Sequence, residues 1–117
     1  MGIDLRVLAS HFREHRGEML ATAEIRLDRD PRLLSVFSKN AVPCIVQPIP
    51  EGLKVGQHTE KGLVYAENDS YGNRLTFTTS KELKSLRVVE NLTDWNRAAL
   101  AFLLSLPPET RIVLYWC

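Results

Sequence analysis

Residues 4–16 read Asp4-Leu5-Arg6-Val7-Leu8-Ala9-Ser10-His11-Phe12-Arg13-Glu14-His15-Arg16, and the folding of this run decides the architecture. Leu5, Leu8, Phe12 and His15 follow the 3-4-3 spacing of one helical face. Asp4 stands where an N-cap is wanted and Gly17 where a helix stops. Arg6, Arg13 and Arg16 fall off the stripe, toward water. The spacing predicts an amphipathic helix over Asp4–Arg16.

Beyond it, Met19, Ala21, Ala23, Ile25 and Leu27 alternate, which favours a half-buried strand over Glu18–Asp28 against the helix propensity of Met, Leu, Ala and Glu. Asp30-Pro31 opens a short helix, Asp30 as cap and Pro31 in its first turn, running through Phe37 and ending near Asn40. Cys44-Ile45-Val46 reads as a short apolar strand hemmed in by Pro43, Pro48 and Pro50, as at a sheet edge. Leu63–Ala66 and Leu75–Thr79 form a predicted hairpin pair around the turn formers of 67–73, and 57–62 is a polar loop. Ser80 caps a short helix over Lys81–Leu86, and Val88-Val89 is a further short strand. Thr93 caps the clearest helix, Asp94–Leu106, whose core face is Trp95, Ala98, Ala99, Phe102, Leu103 and Leu106. Pro107-Pro108 stops it. Arg111–Trp116 is apolar on both faces and reads as a central strand, with Ile112 and Trp116 on one side and Val113 and Tyr115 on the other.

These elements predict an α+β fold: an antiparallel or mixed sheet of four to six strands with helices mainly on one face, in a single domain over 1–117. The chain of 117 residues, 44% hydrophobic and 25% charged, has an ordinary globular balance. Residues 1–40 carry seven Lys/Arg and six Asp/Glu, and 41–117 carry eight of each, so the net charge of +1 is evenly spread. That distribution argues against nucleic acid as a partner, since phosphate binding gathers a basic patch. No apolar run approaches a bilayer span, and Met1-Gly2-Ile3-Asp4 lacks a secretory n- and h-region. A cytoplasmic protein without membrane partners is expected, its two cysteines, Cys44 and Cys117, free thiols.

Of the chemical motifs, His11-Phe12-Arg13-Glu14-His15 fits H-x-x-E-H. On a helix His11 and His15 share a face and hold one metal, Glu14 acts as general base, and Glu82 or Glu90 supplies a third ligand. This is the minority reading, a small metal-dependent hydrolase. The bland one makes the motif a charged helix whose His15 borders the core. Cys44 with His58 is a weaker nucleophile–base pair, because Cys44 lies among apolar neighbours and a buried thiol behaves as a small hydrophobe. No cofactor is implied.

Recognition features stand out more. The loop Asn68–Asn73 sets Tyr71 among small polar residues, and tyrosine gives a rigid contact surface at low entropic cost. Asn68, Asp69, Tyr71 and Asn73 are the candidate partner-binding residues. Leu100 and Leu104 form a second apolar edge on the last helix, covered by the first helix or else a candidate interface, including that of a homodimer.

The run Asn73-Arg74-Leu75-Thr76-Phe77-Thr78-Thr79-Ser80-Lys81-Glu82-Leu83 resembles the SseB-like N-terminal domain, a bacterial family with a strand ending in a Phe-Thr-Ser-like step before a short acidic helix start. Thr79 is one residue more than that step has. Asp30-Pro31 with Leu33-Leu34, the segment Cys44-Ile45-Val46, and Leu92–Leu106 followed by Pro107–Leu114 are similar to its helix, first strand, final helix and closing strand. The resemblance, over residues 28–116, implies a compact α+β interaction domain and carries over no catalytic residue. The function expected is a small bacterial non-enzymatic protein-binding module, an immunity protein or an adaptor, whose partner is another protein.

Overall fold

Leu5–Arg13, the run whose spacing predicts a helix, is strand β1. The computed structural model describes residues 4–13, 18–85 and 90–117. In it β1 lies between β7 (Arg111–Trp116) and β2 (Glu18–Arg26), antiparallel to both. Leu5, Val7 and Ala9 stand opposite Trp116, Leu114 and Ile112, while Leu8 stands opposite Val113. All four β1 residues are buried. A strand covered on both sides loses its polar alternation, and what remains, Leu5, Leu8 and Phe12, imitates a helical stripe.

The remaining strands are β3 (Gln47–Pro48), β4 (Lys54–Thr59), β5 (Gly62–Ala66) and β6 (Thr76–Thr79), joined in one sheet of order β3-β6-β7-β1-β2-β4-β5. β2 and β4 are parallel and every other pair is antiparallel. The fold is therefore mostly β, a seven-stranded mixed sheet curled into a half-barrel. This corrects the α+β expectation of four to six strands under a layer of helices. The helices are small: α1 (Pro31–Leu34), α2 (Ser80–Lys84) and α3 (Asp94–Ser105), with a 3-10 turn over Ser35–Phe37. None among the described residues is long and apolar enough to cross a membrane.

The curl follows from the core. Leu8, Met19, Val55, Phe77 and Val113 belong to five different strands yet form one buried cluster with Ile49, Leu53 and Leu75. In a flat sheet β6 and β4 would lie roughly 19 Å apart, four strand spacings; curling brings them around a common interior. A second cluster unites Leu5, Val7, Ile112 and Leu114 with Leu33, Leu34 and Phe37, Leu83 of α2, and Ala99 and Leu103 of α3. Residues 27–53 visit both: Leu27 to Ile45 join the second cluster, Ile49 and Leu53 the first. This connection therefore passes around the β6 edge of the sheet, and β3 is its point of passage.

Several local expectations shift accordingly. β5 pairs with β4 rather than β6. Of the predicted hairpin only the root forms, through Leu75 N to Glu67 O at 3.0 Å and Asp69 N to Asn73 O at 2.8 Å. Ladder pairing reaches Gln47–Pro48, not Cys44–Val46, and Cys44 is exposed rather than buried. Thr79, not Ser80, caps α2; the buried Ser80 hydroxyl instead donates to Leu103 O at 2.8 Å.

Helix α3 buries Asn96, Ala99 and Leu103, while Trp95, Ala98 and Phe102 of the predicted face are exposed. The cause is polar. The Asn96 side chain accepts from Asp28 N at 2.7 Å and donates to Asp28 O at 3.1 Å. Thr93 caps the helix and donates to Asp28 at 2.9 Å. Satisfying the Asp28 backbone turns the helix so that Leu100 and Leu104 pack partly against the core.

Ile112, Val113 and Leu114 are fully buried and separate the two clusters. Each contributes about 1.5–3 kcal/mol, against a total stability of about 5–15 kcal/mol. Deletion of residues 112–117 is expected to leave the chain unfolded or insoluble. A soluble monomer of the truncated chain with a cooperative melt would contradict the central place of β7.

Candidate functional site

The tip of the 67–75 hairpin is built by one carboxylate. Asp69 is buried, and its Oδ1 accepts from Tyr71 N at 2.9 Å and Asn73 N at 3.1 Å. Gly72 N donates to Asp69 O at 3.1 Å, and Gly72 sits at φ +79°, the left-handed conformation that glycine adopts without steric cost. Ser70 then fastens the tip to the end of β7: its N–H donates to Trp116 O at 3.1 Å and its hydroxyl to Tyr115 Oη at 3.3 Å. With both sides anchored, the Tyr71 ring is left 53% exposed.

Behind the tip, Arg74 Nε donates to Ile49 O at 2.9 Å and Arg74 Nη2 donates to Pro50 O. The hairpin is thereby held against the connection that passes around the sheet edge. Between the two lies a cavity of about 620 Å³, within the usual range for a binding pocket. One wall is Asp69, Tyr71, Asn73 and Arg74. The opposite wall is Ser38, Lys39 and Asn40 with Val46, Gln47 and Pro48, and Thr76 and Trp116 of the sheet form the floor.

The charges of this site are unequally committed. Asp69 Oδ1 is bonded to two backbone N–H groups, and Arg74 Nε and Nη2 to two backbone carbonyls. Lys39 is exposed and makes no ion pair among the described residues. What the cavity offers a ligand is two aromatic rings, the Val46 and Pro48 surface, the amides of Asn40, Gln47 and Asn73, and one ammonium. Arg29 lies outside the lining and is paired with Asp4. Its hydrogen bond to Asp4 holds its guanidinium more firmly protonated than usual, with a smaller contribution from Tyr71.

Asp4 receives Arg29 Nε at 2.7 Å and Arg26 Nη2 at 2.9 Å. The Arg29 hydrogen bond, joined by the charges of both arginines, holds its carboxyl below the ordinary 3.8.

Of the residues singled out from the sequence, Asp69, Tyr71 and Asn73 line the cavity; Asn68 is exposed beside it, bridged to Arg74. Leu100 and Leu104 are partly buried against the core. His11 lies in strand β1 opposite Leu20, so the helical face that would bring it to His15 is not formed there; Glu14 and His15 lie outside the described residues, and Glu90 is exposed in a bend ahead of α3. Glu82 sits in the first turn of α2. Among the described residues no group of three or more His, Cys, Asp and Glu is placed to hold a metal. Cys44 and His58 lie on separate parts of the fold, the segment before β3 and the β4–β5 ribbon, and the Cys44 thiol donates to Val46 O at 3.4 Å. Sequence reasoning missed Lys39, Gln47, Pro48 and Trp116, because their meeting depends on the passage around the edge. The proline spacing at 43, 48 and 50 was the available signal, marking a segment unable to join a sheet interior.

No model of a known protein family, no curated protein and no solved structure matches this chain.

Two outcomes are expected. Asp69→Ala leaves two N–H groups of the tip without their acceptor and should lower unfolding free energy by about 1–3 kcal/mol, measured by urea denaturation; an unchanged midpoint would contradict its organising role. Asp4 contributes stability that is present above the ordinary carboxyl value of 3.8 and lost as pH falls through its lowered folded value. The melting temperature should therefore drop below about pH 4, and Asp4→Asn should flatten that drop. A variant with the same acid limb as the parent would remove Asp4 from the account.

Proposed function

We propose that this chain is a small non-enzymatic protein-binding module, of the immunity-protein or adaptor kind, that seats a partner's apolar side chain in the cavity between the Tyr71 tip and the 38–48 segment. One observation carries the reading: of the ionisable groups lining the cavity, Asp69 and Arg74 are bonded to backbone groups of its walls, which leaves the Lys39 ammonium, while aromatic and amide surface faces the space. Aromatic anchors over a pre-formed pocket are the usual energetic centre of protein recognition. Lys39 on the rim suits a partner with a carboxylate next to its apolar anchor.

The test is selection of a displayed random-peptide library on the immobilised protein, followed by affinity measurement with the selected peptides. Peptides pairing an aromatic or large aliphatic residue with a neighbouring Asp or Glu are expected. Tyr71→Ala should weaken them about thirtyfold, the effect of losing a hot-spot aromatic, at an unchanged melting temperature. Lys39→Ala should weaken them less and reduce their salt dependence. Selected peptides that bind Tyr71→Ala as well as the parent would overturn the reading.

A further inference from the structure

The two edges of the sheet are finished differently. β3, at one end, is two residues long and contains Pro48, with Pro50 just beyond; proline brings no N–H to a ladder, and such an edge resists further pairing. β5, at the other end, has no proline. β4 follows β2 only through Lys54–Gly56, and Gln57, His58 and Thr59 continue past it, paired among the described residues with β5. The outer part of β4–β5 is thus a two-stranded ribbon leaving the body of the sheet. Such ribbons are marginal alone in water.

Its outer strand, β5, carries apolar residues on both faces. Leu63, Val64 and Tyr65 are 41%, 46% and 41% exposed. Leu63 and Tyr65 lie over Gly56 on one face: a Cβ there would stand 3.0 Å from the Tyr65 ring and 3.3 Å from Leu63. Val64 points to the other. An edge strand of this composition is a template for another strand.

We propose that the strand it accepts is β5 of a second copy of this chain, paired antiparallel about a two-fold axis through Val64. The charges flanking the strand choose the occupant and the register. An isologous pair sets each residue against its mirror position. With Val64 opposite Val64, Leu63 meets Tyr65, Gly62 meets Ala66, and Lys61 meets Glu67, twice over by symmetry. Shifting the register by two residues toward the tip sets Lys61 against Tyr65 and Glu67 against Thr59, and leaves both charges without an opposite. Of these two registers, the centred one joins the apolar residues and neutralises both charges. The paired area is small, so the dimer belongs to the weak, concentration-dependent class. It does not rest on the cavity reading, and Tyr71→Ala leaves it unchanged.

The test uses the full chain with Cys44→Ser, Cys117→Ser and Val64→Cys. Opposed residues of an antiparallel pair lie about 4.5–5.5 Å apart between Cα atoms, within disulfide reach, so mild oxidation should yield a covalent dimer. Adding Lys61→Glu should cut its rate about tenfold, because two attractive pairs become repulsive. Adding Glu67→Lys to that variant should restore it. In parallel, sedimentation of the parent chain should show a monomer–dimer equilibrium that follows the same charge pattern. The substituted side chains are not buried, and circular dichroism checks that each variant is folded. Cross-linking no faster than for Glu51→Cys in the same background, or a double charge swap that behaves like Lys61→Glu, would overturn the proposal. So would a parent chain that sediments as a monomer at every concentration while Val64→Cys fails to cross-link.

Discussion

The pairing of β1 with β7 is the interaction on which the rest of the structure depends. It joins the two ends of the described chain at the centre of the sheet, and the ladder is extended by Asp4 N to Cys117 O at 2.7 Å and Cys117 N to Asp4 O at 2.9 Å. β6 attaches to one side of this pair and β2 to the other. Both buried clusters draw on it, one through Leu5, Val7, Ile112 and Leu114, the other through Leu8 and Val113. Neither can close before residues separated by nearly the whole chain have met. That places the cost of loop closure early and the reward of burial late, the condition under which β folding is slow.

The cavity is a by-product of how the long connection solves a problem of faces. A segment that contributes to both clusters must cross the sheet plane, and it can do so only at an edge. β6 supplies that edge, and the prolines around β3 suit a chain that touches the ladder briefly and leaves. The 67–75 hairpin, rooted where β5 gives way to β6, leans on the same passage through Arg74. The walls are held by polar bonds to backbone groups, while Val46 and Trp116 of the lining also pack against the second cluster.

Much of the local chemistry was legible in the sequence. Asp30 and Pro31 start α1, Thr93 caps α3, alternation over residues 18–26 gives β2, and the continuous apolar run 111–116 gives the central strand. The architecture was not legible, for one reason. A strand buried on both faces has no period-2 signature, and in β1 the surviving pattern of Leu5, Leu8 and Phe12 coincides with a helical repeat. Misreading that one element turns a β-rich half-barrel into an α+β sheet. The face of α3 differs from its apolar pattern for a related reason: the turn of the helix is decided by the fully buried Asn96, a polar residue that the apolar spacing does not register. In the site, Asp69, Tyr71 and Asn73 belong to one short loop and local reasoning reaches them; Lys39, Gln47 and Trp116 come from distant stretches, and only the crossing at the sheet edge brings them together.

The meeting of Asp4 and Cys117 also sets how the molecule responds to load. The start of β1 and the end of β7 lie side by side, so a force pulling these two points apart acts across the strands rather than along them. The inter-strand hydrogen bonds are then loaded one after another, from the Asp4–Cys117 pair inward, instead of sharing the tension. The β1–β7 ladder is opened as a zipper is opened, and the same central pair that organises the thermodynamics of the fold is its point of least mechanical resistance.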